Sequence, residues 1–252
     1  MIHQTFTVNG TPDLEVRIES GRVELRERPP GTVDVKVDTN HPGFIVEQRG
    51  NAILVSSDKS SSWLSRGSAY VVIETPPDSD VEISVASASI NSDVELGKVN
   101  IKTASGDIGI TKAETITVKS ASGDLVVDVV ERSLSFTSAS GDLRVAETAS
   151  GTVNVSTASG DVHVEGSDAT IDMNTASGSA HIRNFTGRSA HFKGMSGSIY
   201  LWIPAGTDVD LDVNLLSGRL RTPEPETRQT PATRQMTIKA KLVSGDLNIH
   251  RA

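Results

Sequence analysis

One short phrase constrains this chain more than any other feature. Ala104-Ser105-Gly106-Asp107 introduces it, and a Ser-Gly pair with one residue before it then returns along the rest of the chain. Its glycines are Gly106, Gly123, Gly141, Gly160, Gly178, Gly197, Gly218 and Gly245, evenly spaced as far as Gly197 and further apart over the last two intervals. A near-constant period of about 18 residues marks a repeat architecture, in which each unit buries its face only against its neighbours.

The residues between the phrases alternate as strands do. Val153-Asn154-Val155 alternates, Thr157-Ala158-Ser159-Gly160-Asp161 bends the chain, and Val162-His163-Val164 alternates again. A second turn at Gly166-Ser167-Asp168-Ala169 leads into Ile171-Asp172-Met173. Two strands and two turns in about 18 residues predict a narrow coil, stacked on others through parallel sheets. Glycine takes φ > 0 without a Cβ penalty, and the serine hydroxyl before it can bond backbone groups left open by the bend. The residue two before each glycine is Ala104, Ala121, Ala139, Ala158, Ala176, Met195, Leu216 or Val243. Read as an inward position, it predicts a tight interior that widens or is plugged in the last coils. Val162, Val164, Ile171 and Met173 are expected to fill the centre.

Residues 1–83 show no such period and are read as a β-rich N-terminal cap continuous with a solenoid over 84–252. Leu14-Glu15-Val16-Arg17-Ile18 and Val23-Glu24-Leu25-Arg26 read as a strand and its return about Ser20-Gly21-Arg22. Phe44–Glu47 and Ala52–Val55 flank a hairpin loop at Arg49-Gly50-Asn51. Asp58 to Ser68 reads as a surface loop holding Trp63. A polar, Pro-rich stretch at 222–235 reads as an excursion from a coil turn, after which Leu247–Ile249 closes the last coil. The fold class is all-β, a single-stranded β-solenoid of about 18-residue coils.

Composition narrows function mostly by exclusion. A net charge of −8 argues against nucleic-acid binding. The chain has no cysteine, hence neither disulfides nor thiol chemistry. No signal peptide is visible and no apolar run nears the roughly 20 residues that span a bilayer, so the expected location is the cytoplasm, with no direct membrane insertion. No P-loop, Rossmann fingerprint or serine-hydrolase elbow is present.

The phrases Thr103-Ala104-Ser105-Gly106-Asp107, Ser120-Ala121-Ser122-Gly123-Asp124 and their successors resemble the DUF4097 family of β-strand-repeat proteins, known also as "putative adhesin" or "toastrack" domains. The resemblance covers roughly Ile83 to Ile249. It implies a β-helix of stacked coils and, in some members, a tie to the bacterial envelope or its stress response. It implies no catalytic residues.

Each candidate site has a plainer reading beside it. Asp107, Asp124, Asp142, Asp161 and Asp246 follow the turn glycine; they are either solvated turn residues or a calcium-binding column, and the Gly-Gly-x-Gly-x-Asp pattern of calcium repeats is absent. His163 and His181 stand three residues after successive glycines, beside Arg144 one coil earlier. They form either a surface polar ladder or a metal- or pH-sensing pair. Trp63, Tyr70, Tyr200 and Trp202 are the rare large aromatics. Tyr200-Leu201-Trp202 either presents aromatics outward as a binding patch or packs them structurally.

These readings converge on a non-enzymatic bacterial interaction module needing no cofactor. Its candidate binding surface is Tyr200, Trp202, Arg144, His163 and His181, and its partner is a protein or glycan. A self-assembling scaffold is the alternative. A carbohydrate-active enzyme, using carboxylates such as Asp172 or Glu165, is the remaining class.

Overall fold

The computed structural model describes residues 1–41, 43–57, 67–223 and 234–251. Trp63 and positions 224–233 of the Pro-rich stretch lie outside the described residues. Among the described residues every regular element is a strand, and no helix is long and apolar enough to cross a membrane. The chain divides into two compact units, Met1–Val127 and Asp128–Ala252.

The first unit contains β1 (Ile2–Thr7), β2 (Asp13–Glu27), β3 (Thr32–Thr39), β4 (Phe44–Arg49), β5 (Ala52–Ser57), β6 (Ser68–Thr75), β7 (Ser79–Ser105) and β8 (Ile108–Ser122). The expected hairpin at Ser20–Arg22 does not form. β2 runs through Gly21, which holds φ at 126°, and both halves pair in parallel with β7, Leu14 against Val81 and Val23 against Ile90. On its other side β2 takes β5 along its first half and β6 along its second, again in parallel. Ser20-Gly21 therefore sits in register with Ser87-Ala88, so the N-terminal region already carries the bend of the later phrases. Periodicity does not reveal this copy, because several repeat lengths of chain separate the paired positions. β7 and β8 then pair one period apart, Val99 with Ile116 and Ile101 with Val118. The hairpin expected about Gly50 is present as antiparallel β4 and β5, while β3 pairs antiparallel with both β1 and β6.

A buried carboxylate ties β1, β3 and β6 together. Asp34 is 3% exposed and accepts hydrogen bonds from Thr5 Oγ1 at 2.6 Å and His3 Nε2 at 3.0 Å, with Lys36 Nζ at 3.2 Å. Lys36 also reaches Glu74 at 3.0 Å, which Arg28 contacts from the other side. Burial alone would raise the Asp34 pKa, but these donors outweigh it and hold it at about 2.

The second unit begins within β9 (Leu125–Ser140) and continues through β10 (Leu143–Thr148), β11 (Thr152–Ser159), β12 (Val162–Ser167), β13 (Thr170–Ser177), β14 (Ala180–Ile182), β15 (Ser189–Ser196), β16 (Ile199–Ile203), β17 (Thr207–Ser217), β18 (Leu220–Arg221), β19 (Arg234–Ser244) and β20 (Leu247–Arg251). Its pairings are parallel, and from β9 to β14 each strand meets the next but one, a single period along: Leu134 with Val153, Val153 with Ile171, Val162 with Ala180. Val162, Val164, Ile171 and Met173 are buried as expected, with Phe136, Phe185 and Phe192 the largest of the buried side chains. Each such residue contributes roughly 1.5–3 kcal/mol.

One expectation fails here. The residues two before the glycines face outward, not inward: Ala158 and Ala176 are exposed, as are Met195 (63%), Val243 (48%) and Leu216 (81%). The inward position lies one residue earlier, at Ser138, Thr157 and Thr175, whose buried hydroxyls have no hydrogen-bond partner among the described residues. Alternation separates two faces but does not say which one small residues turn inward. The last strands are also out of chain order in the sheet. β19 lies between β15 and β17, and β20 between β16 and β18, so the last strands of the chain are interior and β17 and β18 are outermost at this end among the described residues.

The glycines stack more tightly than turn chemistry alone requires. A Cβ added to Gly197 would lie under 3.0 Å from the backbone oxygen of Gly178, and its φ is 122°. Gly197→Ala is expected to destabilise the chain by about 1–3 kcal/mol. Gly166→Ala, whose Cβ would find nothing nearer than 3.6 Å, should be tolerated; urea unfolding of both variants compares them. For Asp34, a depressed native pKa means stability that is complete above about pH 4 and lost as pH falls towards 2. Asp34→Asn should lower neutral-pH stability by roughly 2 kcal/mol and flatten its acid dependence, measured by thermal unfolding from pH 7 to 2.

Candidate functional site

Register gathers five rings of the second unit, His163, His181, Tyr200, Trp202 and His250, on one face. Arg144, His163, His181 and Tyr200 are directly paired across β10, β12, β14 and β16, and Asn248 and Arg221 extend the same row across β20 and β18. Each stands three residues after its turn glycine. Glu165, Arg183, Trp202 and His250, two residues further on, form a second row on the same face. Between the rows Val164, Ile182, Leu201 and Ile249 point into the core.

The rings stack rather than scatter. His163 and His181 lie 5.0 Å apart at 10°, and His181 and Tyr200 4.6 Å apart at 15°. Tyr200 and Trp202 are 6.3 Å apart, and Trp202 and His250 5.0 Å at 21°. The Arg183 guanidinium lies 5.7 Å from the Trp202 ring centre, a cation–π distance. Strand spacing explains the pattern, because identical positions on parallel neighbours recur about every 4.8 Å, close to the stacking distance of flat rings. Stacked rings spend their faces on each other. The ladder therefore presents ring rims: imidazole nitrogens, a phenol hydroxyl and an indole N–H, which are hydrogen-bonding groups.

Charges border the ladder. Arg144 Nη2 meets Asp142 at 3.2 Å, and Arg183 Nη1 meets Glu165 at 3.4 Å. Arg221 Nη1 donates to Asn248 Oδ1 at 3.4 Å. The His181 pKa is lowered, first by burial and then by the neighbouring His163, with Arg183 adding to the effect and Asp161 opposing it.

All five sequence-derived candidates, Tyr200, Trp202, Arg144, His163 and His181, fall on this one face. His250 and Arg183 join them without having been singled out by sequence. The signal for both was their place five residues after Gly245 and Gly178, the offset of Trp202 from Gly197. Tyr70 lies in the first unit, bonded to Glu24. His191 sits on β15, where Nδ1 is 2.8 Å from Asp172 Oδ1. Asp172 and Glu165 are thus engaged with His191 and Arg183, on different strands.

The turn aspartates have a structural task. Asp142 Oδ1 accepts from the Asp161 N–H at 2.9 Å, Asp161 Oδ1 from the Ser179 N–H at 2.8 Å, and Asp246 Oδ1 from the Arg219 N–H at 2.9 Å. Each carboxylate caps the neighbouring turn, a charge-assisted bond. Among the described residues no group of three or more histidines and carboxylates is placed to hold a metal ion.

A family model described as Toastrack DUF4097 matches residues 11–250, starting well before the Ile83 limit drawn from the phrases. No curated protein is similar in sequence. Among solved structures, a "putative adhesin" from Parabacteroides distasonis ATCC 8503 is similar, at 13% identity and a TM-score of 0.54, covering 98% of this chain and 96% of the other. A "putative adhesin" from Bacteroides fragilis NCTC 9343 shares 15% identity with a TM-score of 0.45, covering 98% and 96%. The first of these supports the all-β fold.

Because the native His181 pKa lies below its ordinary value, the folded chain favours neutral imidazole there. That contribution to stability is complete above about pH 6.5 and declines as pH falls below it. His181→Gln should show a smaller drop in melting temperature between pH 7.5 and 5.5 than the parent chain, as read by differential scanning calorimetry.

Proposed function

We propose that this chain, which belongs to the Toastrack DUF4097 family, is a non-enzymatic interaction module that docks a bacterial surface partner through the ring ladder of its second unit. The observation that carries this reading is the stack of five rings, His163, His181, Tyr200, Trp202 and His250, across four neighbouring strands. A ladder of rims offers hydrogen-bond donors along a rigid line, and the fold holds their spacing without loop ordering, which lowers the entropic cost of binding. The flanking arginines favour partners that carry acceptors or negative charge.

In this reading the parallel registers that recur once per period are windings of a β-solenoid, and residues 1–83 form its β-rich cap. The family resemblance supports envelope association, reached through a partner and not by insertion. The adhesin names of the structural neighbours agree with a binding role.

Co-sedimentation with isolated bacterial envelope fragments tests the proposal. The parent chain should pellet with the fragments, and the Tyr200→Ala/Trp202→Ala/His250→Ala variant should bind about tenfold or more weakly while keeping the β-rich circular dichroism of the parent. Equal pelleting by both would remove the ladder as the contact.

A further inference from the structure

β17, the longer of the two outermost described strands at this end of the second unit, is unlike the strands beside it. β17 pairs in parallel with β19 along one side, from Thr207 against Arg234 to Ser217 against Ser244, without a register shift. The other side has no strand pairing among the described residues. Its core-facing residues Val209, Leu211, Val213 and Leu215 are half-buried. Their partners on β19, Met236, Ile238, Ala240 and Leu242, are at most 5% exposed. Leu216 (81% exposed) and Leu220 (44%) add apolar surface at the same end.

The opposite face of β17 is acidic. Asp208, Asp210 and Asp212 occupy successive outward positions, all exposed. Outward charge is a common defence of sheet edges, and among the described residues it is the only such defence on β17. Residues 207–217 contain no proline and no bulge, and the aliphatic face remains partly wet. A strand added to this edge would hydrogen-bond along the backbone, cover the four aliphatic residues, and place its own outward side chains about 4.5–5.5 Å from the aspartates. A second copy fits poorly, because β17 against β17 would set three aspartates against three, and like charges directly opposite destabilise a sheet.

We propose that β17 is a receiving edge for an extended segment of another polypeptide in which lysine or arginine alternates with an aliphatic residue. Affinity comes from the backbone ladder and the covered aliphatic face. Specificity comes from Asp208, Asp210 and Asp212, which select basic residues at alternate positions of the incoming strand. The site uses none of the ladder rings, so it stands or falls separately from the docking face proposed above.

The test uses the full chain and a fluorescein-labelled peptide, Lys-Val-Lys-Leu-Lys-Val-Lys-Leu-Lys, by anisotropy at low ionic strength. One control replaces every lysine with glutamate; another keeps the composition but groups the lysines in a block. The alternating basic peptide is expected to bind about tenfold or more tightly than either control, and to slow amide exchange from Asp208 to Leu215. Asp208→Lys/Asp210→Lys/Asp212→Lys should reverse the preference toward the glutamate peptide, and the milder Asp208→Asn/Asp210→Asn/Asp212→Asn should weaken the basic one. Trp202→Ala should leave all of this unchanged. Equal binding of the block peptide, unchanged exchange in β17, or retention of the basic peptide by the lysine variant would each overturn the proposal.

Discussion

The approach of backbone to backbone at the glycine bend is the constraint on which the structure depends. In the second unit Gly160, Gly178 and Gly197 follow one another in a column, each with the position of a missing Cβ filled by the carbonyl of the glycine before it. Gly245 and Gly218 complete the column in that spatial order. In the first unit Gly21 meets Ala69, Gly106 meets Ala88, and Gly123 meets Gly106 in the same way. A side chain in the column would force neighbouring backbones apart and break the hydrogen bonds on both sides of the bend. Positive φ is part of the reason for glycine here, but the lack of space is the wider one.

Once the bends are held in register, much of the remaining chemistry is repetition. Parallel pairing sets each side chain beside its counterpart in the neighbouring strand, so like meets like. In the core this yields aliphatic columns with Phe136 and Phe192 among them. At the turns it yields carboxylates that cap the following turn, Asp142 to Asp161 and Asp161 to Ser179. On the outer face it yields stacked rings. The same rule makes charge a liability, since a column of one sign repels itself. The chain relieves this with neighbours of opposite sign, as Arg144 with Asp142 and Arg183 with Glu165.

The two units treat their outer strands differently. In the first, β1, β3 and β4 add antiparallel strands, and a buried carboxylate with paired cations locks three of its strands together. In the second, the outer strand β17 keeps a half-buried aliphatic row and an acidic row. Stability concentrates where polar groups are paired and buried. Recognition falls to surfaces where repetition leaves groups exposed in a regular line.

The sequence by itself determined the all-β class, the period, the place of each repeated bend and the row three residues after each glycine, because these follow from local chemistry: alternation, turn residues and spacing. Arg144, His163, His181 and Tyr200 could be placed side by side from counting alone. Only the tertiary structure decided which strand neighbours which. β2 pairs with β7, far along the chain, and β19 and β20 slip in front of β17 and β18, bringing His250 onto Trp202. Parallel ladders are made by backbone groups that every residue shares, so strands of similar length are interchangeable as partners and the local sequence carries no label for the choice. The inward or outward turn of small residues such as Ala158 and Thr157 was equally unmarked, since at the bend hydrophobicity differs too little between them to choose a face.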